Sequence, residues 1–198
     1  MKIYLVRHGQ SRWQVRPQEG EWNSPLTELG QSQAERLGSW LAGDPDIGGG
    51  ERLPVTALHA STYLRAQQTA AAVAGALALP VHSHPQLCEA DFLVSERLPS
   101  RGAPNEPLPS FQADDAYAAL KARAQEVLNM LADSGSDAVM AISHGGLIST
   151  MLRQAAGSDH ISFWIYNTSI NLIEWKRGRW HLIFLNLWDH LPPPLRTY

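Results

Sequence analysis

Short apolar runs alternate along the chain with longer stretches in which apolar residues recur every three or four positions. "KIYLV" near the start, "VTALHAS", "PVHSH" and "DAVMAIS" have the length and composition of strands. Between them lie helical patterns. "LTELGQSQAERLGSWLAG" places Ala34, Leu37, Trp40 and Leu41 on one face, with Thr27 as N-cap. "TYLRAQQTAAAVAGALAL" is an alanine-rich helix that starts near Ser61. "DDAYAALKARAQEVLNMLADS" carries a stripe through Leu120, Val127, Leu128 and Leu131, and "GGLISTMLRQAAG" completes the set. "SINLIEW" and "WHLIFLNLW" form two closing strands around the turn "KRGR". The tail "LPPPLRTY" is expected to be an extended surface segment, and "DPDIGGGERLP" a glycine-rich, flexible connection. Strands alternating with helices predict an α/β fold, a three-layer α/β/α sandwich around a mainly parallel, mixed sheet. No internal repeat or second-domain boundary interrupts it, so residues 1–198 are expected to form a single domain.

Composition narrows the function classes. The chain has 198 residues, 18% of them charged, with a formal net charge of −3, so nucleic acid is not an expected partner. One cysteine, Cys88, excludes an intrachain disulfide and fits a reducing compartment. Met1-Lys2 leads straight into a strand-like run rather than a secretory signal, and no apolar stretch approaches the ~20 residues of a membrane span. A cytoplasmic protein without membrane contact is expected. Seven tryptophans are many for this length, and some are expected to line a pocket.

The chemistry-bearing residues cluster where strands end. "LVRHGQS" breaks from an apolar run into Arg7, His8 and Gly9, and "AISHGGL" repeats the plan at His144 and Gly145. In open α/β sheets the crevice lies at the carboxyl ends of the strands, so both histidines are expected at one edge. A glycine after each histidine allows a sharp turn and close backbone approach to a ligand. Arg65, about one turn into a helix, supplies a cation near a helix N-terminus, a good anion site.

"LVRHGQS", "LTELGQSQA", "ASTYLRAQQTA", "LCEADF" and "ISHGG", in this order from residue 3 to about 148, together resemble the histidine phosphatase superfamily, which includes the cofactor-dependent phosphoglycerate mutases. "YNTSINLIEW" is similar to that family's closing strand region. The resemblance implies a phosphomonoesterase acting on a small-molecule phosphate ester through a phosphohistidine intermediate, with no metal and no cofactor. His8 is the implied nucleophile, because a neutral imidazole avoids the repulsion an anionic phosphoryl group exerts on anionic nucleophiles. Arg7 and Arg65 clamp the phosphoryl oxygens. His144 donates a hydrogen bond to them, helped by the Gly145 N–H. Glu89 is the implied general acid and then general base. Gln14 stands where many members have a phosphate-contacting Asn, and "EADFLVSERLPSRGAP" replaces the glycine and tryptophan-glycine sequence that often follows the acid. A phosphoglycerate mutase-type phosphoryl transfer and a non-catalytic phospho-ligand-binding or regulatory module on the same fold remain as alternatives. The 54 residues between Glu89 and His144 include a long helix, which leaves at most a small lid around Pro99–Pro109.

Other patterns carry less. His82 and His84 share a face of a short strand but have no obvious third ligand, so surface histidines are the expected reading. Cys88 lacks the arginine six positions on that cysteine phosphatases require; Val94 stands there. The "GGG" at 48–50 lacks the Lys-Ser or Lys-Thr of a nucleotide P-loop. Arg97 and Arg101 are expected on a solvated loop. Trp13, Trp22, Leu93 and Val94 are expected to give the mouth of the site an apolar character.

Overall fold

β1 (Lys2–Arg7) is the strand around which the sheet is built. Its side chains alternate strictly: Ile3 and Leu5 enter one apolar cluster, Tyr4 and Val6 the other. Such a strand is buried on both faces, which suits the interior of a parallel sheet. The computed structural model describes residues 1–19, 21–47 and 53–198. It contains α1 (Arg12–Val15), α2 (Glu28–Leu41), β2 (Ala57–Ser61), α3 (Leu64–Leu77), β3 (Val81–His84), α4 (Asp115–Ala132), β4 (Ala138–Ser143), α5 (Gly145–Ala156), β5 (Ile170–Lys176) and β6 (Arg179–Leu187). The six strands form one sheet in the order β3-β2-β4-β1-β5-β6. The β3-β2-β4-β1 half is parallel, and β5 and β6 close the sheet antiparallel.

The sandwich has the three expected layers. α2 and α3 cover the face that carries Tyr4, Val6, Leu58 and Met140. α4 and α5 cover the face that carries Ile3, Leu5, Val139 and Ala141. Leu120, Val127, Leu128 and Leu131 of α4 are all buried, and each such side chain contributes about 1.5–3 kcal/mol. Thr27 caps α2 by accepting from the Gly30 N–H at 3.0 Å. The bend after β1 then lies against the first turn of α2. A Cβ on Gly9 would stand 2.4 Å from the Gly30 carbonyl oxygen, and one on Gly30 would stand 2.0 Å from the Gln10 carbonyl oxygen. Gly9 is therefore needed for a backbone-on-backbone contact; neither it nor Gly145 takes a left-handed conformation, so the turn itself does not require glycine.

Two expectations change, and a third lies partly outside the described residues. α3 begins at Leu64, so Arg65 lies in its first turn rather than one turn in. The glycine-rich connection at 44–54 has a 3-10 turn at Pro45–Ile47, while residues 48–52, including the "GGG", lie outside the described residues. The tail is not merely a surface strap. Leu191 is buried, Gln33 donates to the Leu195 carbonyl at 2.6 Å and to the Thr197 hydroxyl at 2.8 Å, and Tyr198 lies under the Arg7 guanidinium. Three prolines and a 3-10 turn bend the segment back towards the end of β1, where buried polar groups need its backbone. No helix among the described residues is long and apolar enough to cross a membrane.

Candidate active site

Register brings the two histidines together. β1 pairs with β4 so that Arg7 lies opposite Ser143, and His8 and His144 follow on adjacent parallel strands. Their ring centroids are 5.0 Å apart, and both side chains are buried. The His8 N–H donates to the Ser143 carbonyl at 3.0 Å and locks this pairing.

The partners of His8 assign its tautomer. Nδ1 lies 2.6 Å from the Gly9 carbonyl oxygen, which only accepts, so Nδ1 carries the proton. Arg65 Nε donates to Nε2 at 3.1 Å, so Nε2 keeps its lone pair. Burial holds the pKa of His8 well below the usual imidazole value, and the Arg65 and Arg7 charges add to the effect. His144 is likewise held neutral by burial and then by His8, Arg65 and Arg7. Its Nε2 bonds to the Ser61 hydroxyl at 2.8 Å.

The arginines are fixed by carbonyls and rings. Arg7 Nη1 donates to the Ile165 carbonyl at 2.5 Å, and its guanidinium lies 5.0 Å from the Tyr198 ring centroid. Arg65 Nη1 donates to the Trp22 carbonyl at 2.6 Å, with the Trp22 and Tyr63 rings 5.6 and 5.0 Å away. Burial lowers the pKa of both arginines and nearby Glu89 opposes that shift. Two nitrogens of the site are left over: among the described residues, Arg7 Nε and His144 Nδ1 are buried without a hydrogen-bond partner. Buried polar atoms are seldom orphaned, and these two belong to the groups expected to hold a phosphoryl oxygen.

Glu89 is seated on the N-terminus of α5. Its carboxylate accepts from the Gly146 N–H (3.0 Å), the Leu147 N–H (3.0 Å) and the Ala90 N–H (3.0 Å). A Cβ on residue 146 would lie 2.6 Å from Glu89 Oε1 and 3.0 Å from Val94 Cγ2, so the second glycine of "SHGG" makes room for the acid.

A cavity of about 600 Å³ opens beside these groups. Arg7, Glu89 and Gly145 are in its wall, as are Trp13, Trp22, Leu93 and Val94, so the mouth is apolar as expected. Gln14 is not in that wall. Its Oε1 accepts from the Ser11 N–H at 2.9 Å, and its Nε2 donates to Asn167 Oδ1 at 3.1 Å. Asn167 Nδ2 donates in turn to the His8 carbonyl at 2.9 Å, which makes Gln14 a brace behind the histidine in this structure. Arg97 pairs with Asp114 at an exposed position, and Arg101 donates to the Pro104 and Glu106 carbonyls, both away from the cavity. Ser61, Asn167, Ile165 and Tyr198 escaped sequence reasoning. Ser61 alone had a signal, being the strand-end residue before the arginine helix.

His82 and His84 do share a face, and His59 joins them, with Nδ1 3.0 Å from His84 Nε2. Among the described residues no group of three His, Cys, Asp or Glu side chains is suited to a metal ion. Buried neutral histidines have a consequence for stability. Burial pushes His190 down to about 3 and His59 down to about 4. Unfolding returns each to about 6.5, so below that value the unfolded chain binds more protons than the folded one. The stabilisation is complete above pH 6.5 and is lost as pH falls towards 4 and 3. Between pH 7 and pH 5 His190 alone is expected to cost about 2 kcal/mol of unfolding free energy, measured by urea titration at the two pH values. His190→Gln is expected to flatten that dependence; an unchanged slope would refute the assignment.

A strand-end His-Arg constellation on a three-layer α/β sandwich defines a class, and the sequence comparison agrees. The chain belongs to the histidine phosphatase superfamily (branch 1), which it matches over residues 3–187. It is 34% identical over 98 residues to a probable phosphoglycerate mutase GpmB of Enterobacter sp. (strain 638); the match covers 49% of this chain and 41% of that protein. The chain thus spans less than half the length of that relative. Among solved structures it is similar to Bacillus stearothermophilus YhfR, with a TM-score of 0.70, 25% identity and coverage of 92% and 95% of the two chains. A phosphoserine phosphatase mutant from Entamoeba histolytica in complex with phosphoserine gives a TM-score of 0.71 at 21% identity, covering 96% and 99%. The mycobacterial glucosyl-3-phosphoglycerate phosphatase gives 0.65 at 19%, covering 93% and 98%.

Proposed function

We propose that the chain is a metal-independent phosphomonoesterase that works through a phosphohistidine on His8. The observation that carries the reading is the lone pair of His8 Nε2, held by the fixed tautomer beside two arginines and the orphaned nitrogens Arg7 Nε and His144 Nδ1. The phosphoryl group of the substrate takes the place of the Arg65 hydrogen bond at Nε2. Arg7, Arg65 and His144 hold its non-bridging oxygens, assisted by the Gly145 N–H. Nε2 attacks phosphorus as the P–O bond to the leaving alcohol breaks, and Glu89 passes a proton to that oxygen. The Glu89 carboxylate then takes a proton from a water that attacks phosphorus. The N–P bond breaks, its electron pair returns to Nε2, and inorganic phosphate leaves. Gln14 acts behind His8 through Asn167 unless it rotates towards the phosphate.

Hydrolysis is favoured over transfer by the modest cover that the segment between Glu89 and His144 supplies, since it adds only residues 90–95 and Leu98 to the cavity wall. Several structural neighbours are phosphatases by name. The mutase reading draws on the names of the sequence relatives. A silent binding module is the third reading, and the complete set Arg7, His8, Arg65, Glu89 and His144 argues against it. The experiment supplies aryl phosphates and 3-phosphoglycerate separately, in the presence of a chelator, and follows free phosphate and 2-phosphoglycerate. Phosphate release from aryl esters, inhibited by vanadate, with little isomerisation is expected. Rapid isomerisation without phosphate release would establish the mutase reading; turnover of nothing would establish the module; activity lost to the chelator and restored by one divalent ion would overturn metal independence.

A further inference from the structure

The cavity contains a second buried cation that the proposed chemistry does not use. Arg153 is only 2% exposed, yet it forms part of the cavity wall. Three hydroxyl groups hold its guanidinium: Nε donates to Tyr117 at 2.9 Å, and Nη2 to Thr150 at 2.9 Å and Ser149 at 3.3 Å. Nη1 makes no hydrogen bond among the described residues, and Arg153 forms no ion pair with a carboxylate among them. The nearest acidic neighbour in the network, Asp159, is already taken by Lys121 at 2.5 Å and by the Tyr117 hydroxyl at 2.8 Å. That leaves one net positive charge in the group. Burying a guanidinium on hydroxyls alone is costly unless a ligand completes it.

The position of this cation is set by α5. Gly145, Gly146, Ser149 and Arg153 recur at helical spacing along the cavity side of that helix. From Gly145 to Arg153 the helix advances about 12 Å, and an arginine side chain leans back towards the N-terminus, so the two anion sites are roughly 8–12 Å apart. The rest of the wall is largely apolar, with Phe92, Leu98 and Phe163. We propose that Arg153 is a carboxylate subsite, and that the cavity selects elongated phosphate esters with an apolar or aromatic body and a carboxylate at the far end. This rests on the phosphomonoesterase reading for its reaction but not for its binding.

The test uses 4-(2-carboxyethyl)benzylphosphonate and its methyl ester, which differ in the distal charge and cannot be hydrolysed at phosphorus. Binding is followed by calorimetry with the wild-type chain and with Arg153→Met, checked for folding by a thermal melt. The acid is expected to bind wild type at least about tenfold tighter than the ester, as a charge-assisted hydrogen bond implies, and Arg153→Met should erase that ratio. Equal affinities in wild type, no binding of either compound, or a ratio that survives in Arg153→Met would each overturn the subsite. If the variant does not fold, the wild-type pair alone decides. The matching phosphate esters separate the two readings: tight, acid-selective phosphonate binding without any phosphate release would remove the hydrolase and keep the subsite.

Discussion

His8→Ala should abolish turnover by several orders of magnitude, the loss that follows removal of a covalent nucleophile. The magnitude follows from the position of the ring. The Nε2 lone pair of His8 is the one that Arg65 orients, whereas the Nε2 of His144 is engaged by Ser61. The chemical signature is as informative as the rate. Quenching wild type during turnover of a ³²P-labelled ester should trap label on His8 with the acid-labile, alkali-stable behaviour of a phosphoramidate. The alanine variant should trap none. Its fold should persist, since the backbone N–H of residue 8 still pairs with Ser143. Label that persists in the variant would place the nucleophile elsewhere.

Glu89→Gln should separate the two halves of the reaction. The carboxamide oxygen can replace Oε1 and still accept from the Leu147 and Ala90 N–H groups, while the NH2 gives up the bond from the Gly146 N–H, so the side chain stays near its seat but can neither give nor take a proton in the reaction. With an alkyl phosphate the first step needs a proton on the leaving oxygen, and kcat should fall by about 10²–10⁴. With 4-nitrophenyl phosphate the phenolate leaves without that help. The variant should then release a burst of nitrophenol equal to the enzyme present, followed by slow turnover, because water attacking the phosphohistidine lacks its base. The measurement is rapid-mixing absorbance at several enzyme concentrations. A linear time course with the same fractional loss on both substrates would show that Glu89 acts only as a structural cap on α5.

Much of this architecture was legible in the sequence because it rests on periodicity. The alternation of Ile3, Tyr4, Leu5 and Val6 and the stripes of α2 and α4 predict two-sided burial and three layers, and the structure has them. The "RHG", "RA" and "SHGG" blocks could be placed at strand ends by topology, Glu89 was named by the family resemblance, and Arg7, His8, Arg65, Glu89 and His144 do converge in the structure. What stayed hidden depends on chain-distant hydrogen bonds. Nothing local in "LPPPLRTY" shows that Thr197 meets Asn167 or that Tyr198 meets Arg7. Gln14 belongs to the motif, yet its amide is spent on Ser11 and Asn167, a choice made by a loop 153 residues away. Arg153 carries no local signal, since its hydroxyl partner Tyr117 comes from another helix.

The pairing of Arg7 with Ser143 has a further consequence, for assembly. The proposed reactive centre has no precursor on either strand alone: β1 and β4 are separated by residues 8–137, which include four α-helices and two strands, so closing that loop is among the most entropically expensive steps in folding. A chain in which this single ladder is shifted by one residue turns both imbedded rings to opposite faces and scatters the arginines with them. On the proposed function, partly folded populations would be silent rather than weakly active, because the site groups meet only when this ladder has closed in register.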